Sequence, residues 1–283
     1  MGFKVRWAVL VAYLVVHIGA IAAFWFFTWD AFFVFLALYM ATAMLGITVG
    51  YHRLLSHQSF KTFPWVARFH ATLGSLALQL GPITWARLHR AHHAFSDQIE
   101  DPHDQSLGFF YGHIGWSFLA HKTYGRSNIL KLSHKHIESD PYMRWLDKNY
   151  FYLVLASYVL LYLVGGLPYL FWGGFFRTAW TLHVTWFVNS AAHRWGYRTF
   201  ETSDKSRNNW WVALLTWGEG WHNNHHRFPL SAKQGLKAYE IDPTWIYIRF
   251  LQTLGLAWDI KTPASYAPEP LGPRIGTDSP MPH

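Results

Sequence analysis

Four long apolar blocks constrain this chain more than any other feature. They run over residues 7–27, 31–49, 151–172 and 174–192, and each approaches the roughly 20 residues an α-helix needs to cross the hydrocarbon core of a bilayer. Within lipid every backbone N–H and C=O must be paired inside its own segment, so blocks of this length are expected to be transmembrane helices. The first is interrupted only by His17 and is too long and too aromatic for a secretory signal. Thr28-Trp29-Asp30 leaves room for only a tight turn, which predicts a hairpin of the first two helices. A further apolar stretch, 65–80, carries Arg68 and His70 and stops at Gly81-Pro82. It reads as an interfacial or re-entrant helix.

Four crossings put both termini, the 51–150 loop and everything after His193 on one side. Of the 24 Lys and Arg residues, Arg177 alone falls within a span or an opposite-side turn, so the positive-inside rule makes the common side cytosolic. The expected fold class is therefore an all-α integral membrane protein, four transmembrane helices capped by a cytosolic helical domain. One domain covers 1–261, its cap formed by 51–150 and 193–261, and the Pro-, Gly- and Ser-rich stretch 262–283 reads as a disordered tail. A net charge of +8 suits nucleic acid, an anionic membrane surface or an acidic protein partner. The spans, and the lack of any recognisable nucleic-acid-binding motif, argue against nucleic acid.

Cysteine is absent, which excludes disulfides, iron–sulfur clusters and thiolate metal sites, so any metal must sit on His, Asp or Glu. There are 18 histidines, and nine of them form four clusters on the cytosolic side, His52, His57 and His193 at the ends of spans: His52 and His57; His89, His92 and His93; His193; and His222, His225 and His226. Residues i, i+3 and i+4 share one side of a helix, so each HxxHH run offers three imidazoles together. Neutral imidazole is a good iron ligand, and nine could surround two metals at four or five nitrogens each. A zinc hydrolase fits less well, because there is no HExxH with its glutamate base.

On these residues the chain resembles the membrane fatty acyl desaturases, in particular the delta-9 group of stearoyl-CoA desaturases and cyanobacterial and bacterial acyl-lipid enzymes. The resemblance spans about Leu45 to Pro229 and rests on Gly50-Tyr51-His52-Arg53-Leu54-Leu55-Ser56-His57, Trp85 to His93, Asp101-Pro102-His103, Asn189-Ser190-Ala191-Ala192-His193 and Gly218 to His226. It implies that the nine histidines bind two iron ions, that Asn189 holds a metal-bound water, and that O2 is the co-substrate. It leaves open which histidine serves which iron. It places Gln79, Trp85 and Thr185 at the bend of a kinked acyl tunnel that fixes cis geometry. Thr185 lies eight residues before His193, close to two helical turns. Met40 and Met44, at helical spacing before His52, could floor that tunnel.

The implied reaction puts a cis double bond, delta-9 by resemblance, into a long saturated acyl chain. It needs two electrons from outside, since no flavin, haem or iron–sulfur motif is present. The basic cytosolic face suits an acidic carrier such as ferredoxin or cytochrome b5, and equally an anionic lipid surface. The family's CoA-using animal members have an Arg-Asp pair before the second histidine box. Here Arg87, the matching substrate-binding residue, is followed by Leu88, and the polar residue expected after Gln79 is Leu80. Fewer polar contacts to a charged carrier favour acyl groups in membrane lipid over acyl-CoA. Asp101 and Glu219 are candidates to support ligand imidazoles from behind. His17, His70, His113, His121, His134, His136, His183 and His283 read as structural or surface residues. Two rivals share the pattern: a hydroxylase, ketolase or acetylenase on the same scaffold, and a non-catalytic metal-dependent lipid sensor.

Overall fold

A computed structural model describes residues 3–121 and 135–266, and these are built mostly of helices with four strands of two or three residues. His134, His283 and residues 267–283 of the expected tail lie outside the described residues, as does the side chain of His121. The tail's first residues, Thr262 to Tyr266, form a turn closed by Ser265 N–H donating to Thr262 O at 2.9 Å.

Helix α1 (Trp7–Phe26) is apolar all round. It turns Val16, Gly19, Ala20 and Ala23 inward and leaves Ile18, Phe24 and Trp25 exposed at 66, 65 and 76%. Each such side chain would forgo about 1.5–3 kcal/mol in water, so the outward face is built for lipid. The inward face is built for close approach, since a Cβ on Gly19 would sit 2.4 Å from the Phe175 ring.

Helix α2 (Trp29–Ser56) begins where the Thr28 hydroxyl accepts Ala31 N–H at 3.3 Å, with Asp30 in the first turn. It runs as α-helix to Tyr39 and then with the wider i→i+5 pitch of a π-helix from Met40 to Ser56. The end expected at residue 49 is thus overrun. Apolarity stops there, but the cap buries Tyr51, His52, Arg53 and Ser56, and the helix continues among protein instead of lipid. Helix α3 (Pro64–Ser75) is shorter than the 65–80 expected. Leu78 and Leu80 take left-handed φ of 57° and 77°, which ends the helix and turns the chain. It packs backbone to backbone on α2, where a Cβ on Gly46 would lie 2.4 Å from Gly74 N.

The segment Pro141–His193 is helical throughout except at Gly165 and Gly166, where φ/ψ are −137°/17° and 64°/−153°. Tyr158 Oη donates to Thr178 Oγ1 at 2.8 Å, although 20 residues of straight helix would separate them by about 30 Å. The chain therefore folds back at Gly165-Gly166 and not at Gly173, where the sequence blocks divide. Val164 to Pro168 contains no polar residue to mark a turn. The mark is steric: Gly166 has positive φ, and a Cβ on Gly165 would lie 2.1 Å from the Tyr169 ring. We label Pro141–Tyr169, which includes the fold-back, α5 and Arg177–Ser190 α6; the π-helical Leu170–Phe176 joins them. Among the described residues, three helical segments can cross a membrane by length and composition: Trp7–Phe26, Trp29–Ser56 and the folded Pro141–His193.

Beyond the apolar segments, α4 is Pro82–Phe95, α7 Trp210–Leu215, α8 His222–Arg227 and α9 Pro243–Thr253. Lys61–Thr62 pairs with Ala257–Trp258, and Phe3–Val5 with Leu119–His121. A core including Tyr51, Leu54, Ala86, Leu146 and Ile248 seats the π-helical end of α2 against α4, α5 and α9.

Candidate metal centre

Helical phase sorts the histidines. At about 100° per residue, positions i and i+4 are some 40° apart while i+3 lies on their other side. On α4, His89 and His93 therefore point one way and His92 the other; on α8, His222 and His226 pair and His225 diverges. Facing helices complete the sets. The ligand nitrogens of His52, His57, His89, His93 and His225 lie within 4.8 Å of one another, as do those of His92, His193, His222 and His226. All nine predicted residues are thus gathered into two adjacent nests of five and four, the His93 and His226 rings 4.6 Å apart between them.

His52 and His57 reach one nest because of the π-helical pitch. Five residues of α-helix would splay them by about 140°. Here the His57 N–H donates to His52 O at 3.1 Å, and the two rings lie with centroids 4.8 Å apart. Wide helical turns of this kind favour functional sites.

The outer nitrogens explain the inner ones. Nδ1 of His92 is 2.9 Å from Asp101, of His193 3.1 Å from Asp97, of His226 2.7 Å from Asp204 and of His52 2.5 Å from Glu219. A carboxylate accepts, so Nδ1 carries the proton and Nε2 presents a lone pair. Yet the Nε2 atoms of His92 and His226, both rings so held, face one another at 3.2 Å. Two lone pairs at that distance repel, and a cation between them turns repulsion into coordination. Burial, reinforced by neighbouring rings, pushes His89, His92, His93, His222 and His225 well below the ordinary imidazole range, so these rings are neutral at neutral pH, the form in which imidazole can bind a metal. Although burial acts upward on Asp97, the hydrogen bond from His193 holds its carboxyl down at about 2. Asp204, against burial, is lowered by the hydrogen bond from His226.

Asp101 and Glu219 occupy the supporting positions expected of them. Asp97, Asp204 and Arg53 were not anticipated. Asp97 and Asp101 continue the four-residue spacing of His89 and His93, a signal the sequence did carry. Asp204 is brought in by the 199–208 loop, pinned where Asn223 Oδ1 accepts Thr199 and Phe200 N–H, and no spacing announces it. Arg53, fully buried, donates to Glu219 at 3.2 Å and to Asp242 at 3.0 and 3.1 Å. His103 stands behind the second nest, 3.4 Å from Asp101. Replacing Asp204 with Asn is expected to weaken metal retention by the four-histidine nest roughly 10–100-fold, the usual cost of losing such a partner. Chelator competition on the purified protein checks this, and unchanged retention would refute the assigned role.

Gln79 and Thr185 meet, the amide donating to Thr185 Oγ1 at 2.9 Å. Trp85 stacks on His89 at 5.0 Å and 20°, so an aromatic wall adjoins the first nest. Arg87 is instead paired with Glu138 at 2.9 Å, on a hollow shared with Arg144 and Lys148. Asn189 is half-buried one turn before His193 and hydrogen-bonds to none of the nine rings. Met44 is buried, but Met40 is 45% exposed on the outer face, which removes it from any tunnel floor. His17, His183 and His113 hydrogen-bond in series at 2.9 and 3.0 Å, ending on Ser190, a structural chain that contributes no ring to either nest.

A sequence model of the family described as fatty acid desaturase matches residues 27–258. An sn-1 stearoyl-lipid 9-desaturase of Anabaena variabilis is 45% identical over 260 residues, 91% of this chain and 94% of that one. An sn-2 palmitoyl-lipid 9-desaturase of Nostoc sp. is 45% identical over 255 residues, 90% of each chain. An icosanoyl-CoA 5-desaturase of Limnanthes douglasii is likewise 45% identical, over 258 residues, 89% of this chain and 71% of the plant protein.

Proposed function

The chain belongs to the fatty acid desaturase family, and from that membership we propose that it is an O2-dependent di-iron enzyme forming a cis double bond, delta-9, in long saturated acyl groups of membrane lipid. It is an oxidoreductase of the desaturase class. The observation that carries the di-iron reading is the facing of His92 Nε2 and His226 Nε2 at 3.2 Å while both Nδ1 atoms are committed to carboxylates. Nine imidazoles in nests of five and four, with no thiolate, suit two iron ions.

Bound iron would supply the oxidising power, from O2, that no side chain has. Per turnover the acyl chain gives up two hydrogens from adjacent carbons, and with two external electrons and two protons O2 leaves as two waters. Asp97, Asp101, Asp204 and Glu219 fix the tautomer and tilt of four ligand rings. Asn189 supports the four-histidine nest through a water. Trp85, flat on His89, walls the reacting methylenes, and the Gln79–Thr185 pair turns the chain at the bend. Arg87, now paired with Glu138, would contribute to holding the lipid head group.

Four crossings, with α5 and α6 as separate spans, put the termini and the metal nests on the cytosolic side, 1–261 forming one domain. Ferredoxin or a cytochrome b5-type protein delivers the electrons there. The relatives' names divide over the acyl carrier at equal identity, so identity does not choose between lipid and CoA. Leu80 and Leu88, where charged-carrier contacts would fall, favour lipid.

Expression in a desaturase-deficient host supplied with a donor, with His89→Ala as control, tests this. New cis-monoenes at delta-9 in membrane lipid, absent from the control, are expected. Hydroxylated products, or no product from folded, iron-loaded protein, would overturn it.

A further inference from the structure

Arg177 lies in α6, is 1% exposed, and among the described residues pairs with no carboxylate. An arginine inside an apolar segment is costly and is retained for a purpose. Its Nε donates to Gly173 O, in the π-helical turn that leads into α6, at 3.0 Å and its Nη1 to Leu76 O at 2.6 Å. What it grips is the 76–80 turn, whose Leu78 and Leu80 hold left-handed conformations that L-residues avoid. Left alone such a turn would relax. Leu78 is wedged against Val16, Ala20 and Ala179. Gln79 reaches Thr181 O at 3.3 Å and Thr185 Oγ1 at 2.9 Å. Arg177, Thr181 and Thr185 are spaced by four along one face of α6, so the turn lies against that face from its anchor to its tip.

We propose that Arg177 is a positioning residue: by clamping Leu76 O it sets how deep Gln79 sits, and so which pair of acyl carbons meets the metal nests. This rests on the desaturase reading for its substrate, though not for the clamp. A shift of about 1 Å is enough to misplace a reacting group.

Arg177→Met and Arg177→Lys in the full-length protein test it by two readouts. With methionine, backbone amide exchange within 76–81 is expected to quicken at least tenfold while α4 and α8 stay protected. The product is expected to spread from one double-bond position to neighbouring ones, with iron content unchanged. Lysine, which keeps a donor, is expected to restore a single position. Unchanged exchange, or a single unshifted double bond despite a loosened turn, overturns the proposal. If the methionine variant does not accumulate, Arg177→Gln, neutral and too short to reach Leu76, carries the same comparison. Should the unaltered protein make no cis-monoene, the desaturase reading falls, and exchange alone still decides the clamp.

Discussion

His222→Ala is expected to abolish desaturation and to take bound iron from about two to about one per chain. The reason is the uneven division of ligands. The nest of His92, His193, His222 and His226 has four imidazoles and drops to three, whereas His57→Ala would leave four in the other. The loss of turnover should far exceed the 10–100-fold typical of an outer-shell partner. Alanine is the best helix former, so α8 itself should survive the change. Iron analysis and product assay on both variants provide the check. A His222→Ala protein with full iron and normal turnover would dismantle the assignment of that nest.

Arg53→Met is expected to destabilise the protein by about 3–5 kcal/mol, because it leaves Glu219 and Asp242 buried without their shared cation. Arg53 also donates to Ala232 O at 2.6 Å, so one guanidinium joins α2 to the segments before α8 and α9. Arg53→Lys should rescue little, since an ammonium cannot reproduce the fork. The apparent melting temperature in detergent should fall by roughly 10 °C. A fall below about 2 °C would show that the network contributes nothing beyond packing. Because Glu219 also holds His52, the variant should lose iron from the five-histidine nest as it loosens.

Much of this molecule can be read from its residues, and what escapes has identifiable causes. The first two spans are legible because lipid demands unbroken apolarity, and α1 and α2 follow it. The fold-back at Gly165-Gly166 is not, because a turn inside lipid needs no polar residue, only a backbone without a Cβ. The nine histidines announce themselves by type and spacing. Their division into five and four was also available in the phase of HxxHH, but His52 and His57 join one nest only through a change of helical pitch that no spacing rule predicts. Asp204 and Asp242 are supplied by loops that approach through tertiary folding alone.

The groups touching the imidazoles, directly or through Arg53, have a further implication. Asp97, Asp101, Asp204, Glu219 and Asp242 set five carboxylates against one guanidinium. Four negative charges remain, matching two divalent cations. Under the di-iron reading the surroundings are electroneutral with both irons ferrous, and each oxidation leaves an unbalanced positive charge in a low-dielectric interior.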